Sequence, residues 1–88
     1  LYGASKAAAS MITKTAAAEE GVHGIRINEV SPGAIDTPML RGFFAEAQAA
    51  GTGWDRDKLK NSLPLRRMGD PEDVAMAVLW LCSDEARH

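Results

Sequence analysis

The sequence predicts an α/β fold in the order helix, strand, weakly helical middle and helix. Apolar residues recur at three- and four-residue steps from residue 2 to about residue 20, which is helical spacing. Residues 24–31 then read as a strand, with isoleucines at every second position between glycine and proline. Asp70 and Pro71 open a further stripe of helical period. The chain therefore has helices on both sides of one strand.

The first helix carries a thin apolar stripe of mostly small residues. Its members are Ala4, Ala7, Ala8, Met11, Ile12, Thr15 and Ala18. Small side chains let another helix approach closely, so we expect the partner of this face to be a helix. Gly21 ends the helix and Gly24 opens the strand. His23, in the turn between them, is expected at the surface, because no other ligand-type residue stands at metal-binding spacing from it. No metal site is expected.

In the strand, Gly24 to Ser31, both faces are mixed and neither is fully apolar: Ile25, Ile27 and Glu29 alternate with Arg26, Asn28 and Val30. A single strand of a parallel sheet leaves both edges unpaired and both faces in need of cover. We therefore expect the neighbouring strands to come from elsewhere. The first residue is Leu1 and not methionine, which agrees with a piece of a longer protein.

The middle of the chain, residues 39–63, has the weakest pattern. Residues 39–50 have a partial helical period, Gly51-Thr52-Gly53 interrupts it, and Trp54 precedes a charged run. Glycines beside aromatic residues are typical of a mobile flap with an apolar inner side. A packed helical hairpin on the surface explains the same residues equally well.

The last helix begins with Asp at the N-cap, Pro at the first helical position and acids in the first turn. Its apolar stripe consists of Val74, Ala77, Val78, Leu81 and Cys82. This pattern indicates scaffold, in which Cys82 is a small buried hydrophobe and not a nucleophile. In the connector before this helix, we expect Arg66 and Arg67 to form a structural ion pair or cap and not a phosphate contact.

Length and composition exclude several classes. A chain of 88 residues makes one domain at most and buries only about 60–65% of its extended surface, so its core is marginal. A net charge of −2 offers no basic patch for nucleic acid. The apolar runs fall far short of the roughly 18 residues that span a bilayer, so no membrane partner is expected. Cys82, the single cysteine, permits no internal disulfide and fits a cytoplasmic protein.

Tyr2 and Lys6 are the candidate catalytic residues. They stand four apart at the start of the first helix, so both side chains share one face. A phenol exchanges its proton near neutral pH only where its surroundings favour the phenolate, as a nearby ammonium and the free N–H groups of a helix start do. Tyr2 is therefore a candidate general acid and base for carbonyl or alcohol chemistry. On this motif alone, an ordinary surface pair remains an alternative.

Four motifs, in this order and spacing, resemble the short-chain dehydrogenase/reductase family. They are Tyr-x-x-x-Lys with Ser5 before the lysine, Ile-Arg-Ile-Asn at 25–28, Ser-Pro-Gly-x-Ile-x-Thr-Pro at 31–38, and Pro-Leu-x-Arg-x-Gly-x-Pro-Glu-Asp-Val-Ala at 64–75. The resemblance covers nearly the whole chain. It implies the C-terminal part of a single NAD(P)-binding domain with a Rossmann-type, doubly wound parallel sheet. Residues 39–63 would then be the substrate lid.

The resemblance also implies how the cofactor is held. The implied cofactor-binding residues are Tyr2, Lys6, Pro32, Gly33, Ile35 and Thr37. Backbone groups of Ile35 would face the nicotinamide carboxamide, and Thr37 would bond the carboxamide or the pyrophosphate. Asn28 would be structural. Glu29 stands where small or apolar residues are commoner in the family, which leaves the burial of that position open.

The usual site for the cofactor's phosphates is absent, because no glycine-rich turn precedes a helix. The family's catalytic serine and helix asparagine would lie before Tyr2, and its last strand after His88. The resemblance implies an NAD- or NADP-dependent oxidoreductase that moves hydride to or from a small-molecule alcohol or carbonyl substrate. It would be a homo-oligomer when complete, and this piece, cut at both ends, would be inactive alone. A non-catalytic helical interaction module and a degenerate remnant of a dehydrogenase are the alternatives.

Overall fold

The computed structural model describes all 88 residues, and its regular structure is helical. The four α-helices are α1 (Tyr2–Glu20), α2 (Pro38–Ala49), α3 (Arg56–Ser62) and α4 (Pro71–Cys82). Short 3₁₀ turns follow α1 at Gly21–His23 and α4 at Asp84–Ala86. The predictions for the first and last helices are confirmed, and the charged run after Trp54 forms a helix of its own.

The strand predicted at Gly24–Ser31 does not form. Residues 25–33 carry no regular secondary structure, and the one strand-like pairing is a parallel bridge between Ile35 and Gly69. A strand exists only through bonds to a neighbouring strand, and no other segment of the chain runs beside residues 24–31 to supply them. Within these 88 residues the predicted α/β class is therefore not met, and the chain is mostly helical.

The chain divides into two compact units, of which the first comprises residues 1–31 and 77–88. In this unit the Arg26 guanidinium donates to the carbonyl oxygens of Leu81, at 2.7 Å, and Ser83, at 3.3 Å. Carbonyls at a helix C-terminus lack partners within the helix and carry its negative dipole end. Arg26 therefore fastens the segment after α1 to the end of α4.

The second unit comprises residues 32–76 and is held by local caps and by the Ile35–Gly69 bridge. Thr37 caps α2, with its side-chain oxygen accepting from the backbone N–H of Leu40 at 3.3 Å. Asp55 caps α3 in the same way, accepting from the N–H of Lys58 at 2.8 Å. These caps satisfy N–H groups that the first turn of a helix leaves free.

Little of the chain is buried, and the buried side chains are Phe44, Ala47 and Ala86. Every member of the apolar stripe predicted on α1 is exposed, whereas the half-buried residues of α1 belong to other positions: Ser10, Thr13, Ala16, Ala17 and Glu20. The predicted burial of Cys82 is wrong, because its side chain is exposed. Burial depends on what covers a face, and no part of this chain covers the end of α4 at Cys82.

The ionisable surface groups follow the sequence more closely. His23 is exposed, as predicted, and its Nδ1 lies 3.0 Å from a carboxylate oxygen of Glu20. Arg67 lies 3.8 Å from a carboxylate oxygen of Asp73, which confirms the predicted ion pair for Arg67, whereas the Arg66 side chain makes none. No three His, Cys, Asp or Glu side chains gather closely enough to hold a metal ion. None of the helices has both the length and the apolar character needed to cross a lipid bilayer.

Candidate active site

Tyr2 and Lys6 lie together at the start of α1, as predicted. The Lys6 ammonium stands over the face of the Tyr2 ring, with Nζ 5.5 Å from the ring centroid. A cation at this distance is attracted by the electron-rich ring face. The hydroxyl of Ser5 donates to the carbonyl oxygen of Tyr2 at 2.7 Å, within the same helical turn.

The Tyr2 side chain is open to another molecule, because it is 76% exposed. Lys6 contacts the ring face, which leaves the hydroxyl oxygen available to donate or accept a proton. The hydroxyl of Tyr2 is therefore within reach of a bound molecule.

The backbone at Ile35 has an unpaired donor and an unpaired acceptor. Gly69 donates its N–H to the Ala34 carbonyl at 3.0 Å, and Asp36 donates its N–H to the Gly69 carbonyl at 2.8 Å. In a parallel bridge of this kind, the residue between the two bonds turns its own N–H and C=O to the opposite side. An N–H and a C=O side by side are complementary to a primary carboxamide, which also presents one acceptor and donors.

Thr37 keeps hydrogen-bonding capacity beyond its role as a cap. Its oxygen accepts from Leu40, and its hydroxyl proton remains free to donate. It also caps α2, whose positive dipole end attracts anions such as phosphates, although Pro38 has no N–H and the N–H of Leu40 is already bonded to Thr37. Pro32 and Gly33, earlier in the same loop, are exposed. A Cβ added at Gly33 would meet no atom of the chain within 4 Å, so no contact within these residues requires glycine at this position.

Asp36, between Ile35 and Thr37, is a residue that the sequence analysis missed. Its side chain is only 14% exposed, with one carboxylate oxygen accepting from Arg41 Nε at 2.8 Å and the other from Arg56 Nη2 at 2.7 Å. The Arg41 hydrogen bond lowers the pKa of Asp36 against the opposing effect of burial, and Arg56 adds to the lowering. The same bond raises the pKa of Arg41.

A local signal for part of this cluster was available. Asp36 directly precedes the N-cap of α2, and an arginine follows five residues later, within the same helix. Arg56 lies 20 residues away in the sequence, and no spacing rule connects it to Asp36. The contact between Asp36 and α3 is therefore visible only in the structure.

The predicted lid segment forms two helices joined by a tight turn. Gly51 and Gly53 adopt left-handed backbone angles, with φ values of 70° and 72°, which glycine permits without strain. Both the N–H and the hydroxyl of Thr52 donate to the carbonyl of Ala47, at 3.1 and 3.0 Å. Beside this turn lies an open apolar hollow of about 270 Å³, lined by Phe43, Glu46, Ala47, Ala50, Thr52 and Trp54. Because α2 and α3 do not pack extensively on each other, the segment is helical without being a packed hairpin.

The predicted site residues thus form two local groups, one in each unit. Tyr2 and Lys6 share a turn of α1 in the first unit. The residues at 32–37 form a single loop in the second unit, ending at the cap of α2.

Known proteins match the chain along its whole length. The sequence profile of the enoyl-(acyl carrier protein) reductase family covers residues 1–88. The 3beta-hydroxysteroid dehydrogenase 1 of Eggerthella lenta is 42% identical over 87 residues, which are 99% of this chain and 31% of that protein. The (3R)-3-hydroxyacyl-CoA dehydrogenase of Mus musculus is 44% identical over 87 residues, 99% of this chain and 30% of that protein. The chain therefore spans about a third of the length of these relatives.

A crystal structure shows the same likeness in three dimensions. The structure of a short chain dehydrogenase family protein from Francisella tularensis matches with a TM-score of 0.87 and 30% identity, over 98% of this chain and 37% of that one. Sequence and structure thus lead to one group of proteins, and the relatives named above are dehydrogenases. The chain belongs to the short-chain dehydrogenase/reductase family.

Proposed function

We propose that these residues are the C-terminal portion of an NAD- or NADP-dependent oxidoreductase that transfers hydride between a nicotinamide and an alcohol or carbonyl substrate. The observation that carries the proposal is the Tyr2–Lys6 pair, held in one helical turn with the ammonium 5.5 Å from the ring centroid. The remaining strands and the glycine-rich phosphate turn would belong to a longer chain, called the complete polypeptide below. Residues 24–31 would pair there as a strand of a Rossmann-type sheet, and the 88 residues alone would be inactive.

Tyr2 would carry the proton in this reaction. Its exposed hydroxyl gives a proton to the substrate oxygen during reduction and takes one during oxidation. The Lys6 ammonium stabilises the phenolate left behind, because opposite charges one turn apart attract. In keeping with the family, Lys6 also bonds the ribose next to the nicotinamide.

The second unit would hold the cofactor near its nicotinamide. When bound, the cofactor supplies or accepts the hydride. The unpaired N–H and C=O of Ile35 suit its carboxamide, and the Thr37 hydroxyl with the start of α2 suits the carboxamide or the pyrophosphate. Pro32 and Gly33 would border the same group. None of these residues distinguishes NAD from NADP.

Residues 39–63 would form the substrate lid. The apolar hollow beside Trp54 and Phe43 supports this role, since both aromatic side chains are about half exposed and can cover an apolar ligand. The named relatives differ in substrate, one being a hydroxysteroid dehydrogenase and another a hydroxyacyl-CoA dehydrogenase. The proposal therefore names only a small alcohol or carbonyl compound.

The test is a set of variants in the complete polypeptide. Cofactor-dependent turnover of a panel of secondary alcohols and ketones is followed through the absorbance of the reduced nicotinamide. Tyr2→Phe removes the transferable proton, keeps the ring, and should lower kcat by about 10²–10⁴-fold. Lys6→Met should also lower it, and Lys6→Arg should restore only part, because a guanidinium places its charge differently.

Lys14→Met is the matched control, since Lys14 is another exposed lysine of α1, farther along the helix. Its kcat should equal that of the unmodified protein. If Tyr2→Phe retains more than about a tenth of the original kcat, Tyr2 is not the proton donor. The pair would then be an ordinary surface contact, and a non-catalytic interaction module would become the better interpretation.

A further inference from the structure

The Asp36 cluster connects three segments of the second unit. Asp36 lies in the loop that precedes α2, Arg41 belongs to α2, and Arg56 is the first residue of α3. Each carboxylate oxygen of Asp36 accepts one guanidinium N–H, at 2.8 Å from Arg41 and 2.7 Å from Arg56. Both oxygens are thus engaged with different helices.

α3 has few other attachments. None of its side chains is buried, and α2 and α3 do not pack extensively on each other. Its remaining ties, the Asp55 cap and the Lys58 ammonium bonded to the carbonyl of Gly53, join it only to its own neighbourhood in the sequence. The Arg56–Asp36 contact is therefore its charged link to a distant part of the unit.

The contact is sheltered on the carboxylate side. The Asp36 side chain is 14% exposed, whereas those of Arg41 and Arg56 are 62% and 54% exposed. Other charged groups line the cavity of about 220 Å³ beside Asp36: Asp57, Lys60, Arg67 and Asp70. Among them Arg67 makes its ion pair with Asp73, at 3.8 Å, and none is hydrogen-bonded to Asp36.

We propose that Asp36 is a positioning residue that couples α3, in the lid, to the backbone segment that presents Ile35 and Thr37. The inference rests on the proposed function for its consequence in turnover. When Asp36 holds both arginines, α3 keeps one position relative to this segment. When the carboxylate is lost, α3 is detached for part of the time. The apparent affinity for substrate is then the intrinsic affinity multiplied by the fraction of time that the lid is in place.

This coupling predicts that loss of Asp36 changes the substrate KM more than the cofactor KM. The substrate KM should rise, because the lid contacts substrate only when α3 is held. The cofactor KM should change less, because the bonds of Gly69 to Ala34 and Asp36 hold the backbone at Ile35 whatever the Asp36 side chain does. A partly exposed ion pair corresponds to about a two- to fivefold effect on the substrate KM.

The experiment compares Asp36→Asn, Arg56→Gln and the double variant in the complete polypeptide. Each single variant should raise the substrate KM, and the double variant should be no worse than Asp36→Asn, because that change already removes the Arg56 contact together with the Arg41 contact. Asp36→Glu should recover part of the loss. Hydrogen exchange of backbone amides in residues 55–63 should be faster in both single variants. Arg67→Gln, an arginine of the same cavity without a bond to Asp36, is the control and should change neither measurement.

Unchanged amide exchange at 55–63 in Asp36→Asn would overturn the coupling, as would an equal effect of Arg67→Gln. A rise in the cofactor KM with no rise in the substrate KM would also overturn it. Hydrogen exchange needs no turnover. If the unmodified protein showed no nicotinamide-dependent activity, the proposed function would fail while the exchange result still decided whether Asp36 holds α3.

Discussion

Gly69 leaves no room for a side chain beside Ile35, which gives a prediction with a definite sign. A Cβ added at Gly69 would lie 2.8 Å from Cδ1 of Ile35 and 3.4 Å from a carboxylate oxygen of Asp73. Carbon atoms in good contact are about 3.5–4.0 Å apart, so Cδ1 must move by roughly 1 Å. Such overpacking costs about 1–3 kcal/mol.

Two opposing effects set the size of the change in Gly69→Ala. Cδ1 is the end of a flexible side chain and can turn away, so the lower part of that range applies. Replacing glycine also restricts the unfolded chain, which stabilises the folded protein by about 0.4–1 kcal/mol where the backbone angles suit alanine. We expect a net destabilisation of about 0.5 kcal/mol.

Ile35→Val supplies the matched background, because valine lacks the Cδ1 atom that the new methyl group meets. With Val at position 35, the clash is gone and only the effect on the unfolded chain remains. Gly69→Ala should then be neutral or stabilising by about 0.5 kcal/mol. The sign of the Gly69→Ala effect should therefore depend on residue 35.

The assay is equilibrium urea unfolding of four forms of the complete polypeptide: unmodified, Gly69→Ala, Ile35→Val and the double variant. Their free energies of unfolding form a double-mutant cycle. Hydrogen exchange at the amides of Gly69 and Asp36 reports in parallel on the two bonds of the bridge. If Gly69→Ala costs the same free energy of unfolding with Ile and with Val at position 35, the contact with Cδ1 does not limit this site, and the argument is refuted.

Three further predictions concern charge, assembly and specificity. Because Arg41 lowers the folded pKa of Asp36, the stabilising contribution of Asp36 is present above its unfolded pKa of about 3.9 and is lost as pH falls through the lower folded value. Asp36→Asn should therefore flatten the fall in stability below about pH 4 in acid unfolding followed by circular dichroism; an unchanged acid limb would contradict this. We propose that the exposed stripe of α1 packs on a second copy of the protein. Ala8→Trp should then shift the complete polypeptide to smaller species in light scattering. An unaltered mass would show that this face of α1 is free. Exchanging residues 39–60 for those of a relative should change relative kcat/KM among carbonyl substrates and leave the preference between NAD and NADP unchanged; the reverse result would remove the lid assignment.

Local signals were enough to place the first and last helices. The Asp70-Pro71 start of α4 and the glycine after α1 act through groups within a few residues, so the sequence shows them directly. The pairing of Tyr2 with Lys6 was predictable for the same reason, since helix geometry fixes residues four apart.

Features that depend on distant residues were not predictable. The strand at 24–31 needs neighbours that these residues do not include, and the exposure of Cys82 depends on what covers α4. The role of Asp36 follows from an arginine 20 residues away, which no periodicity reveals. The Ile35 backbone pair likewise follows from its bridge to Gly69.

The two bonds from Arg26 have a consequence for the order of folding. The bond to Leu81 closes a loop of 55 residues, and by the (3/2)RT ln n relation the chain entropy lost is worth about 3.5 kcal/mol. The intervening residues 32–76 form a compact unit from one continuous segment, so they can assemble without that closure. Contacts that close last are absent from the transition state and slow unfolding more than they speed folding. We therefore expect the Arg26 bonds to form late in folding, and their loss in Arg26→Ala to speed unfolding of the first unit more than it slows folding.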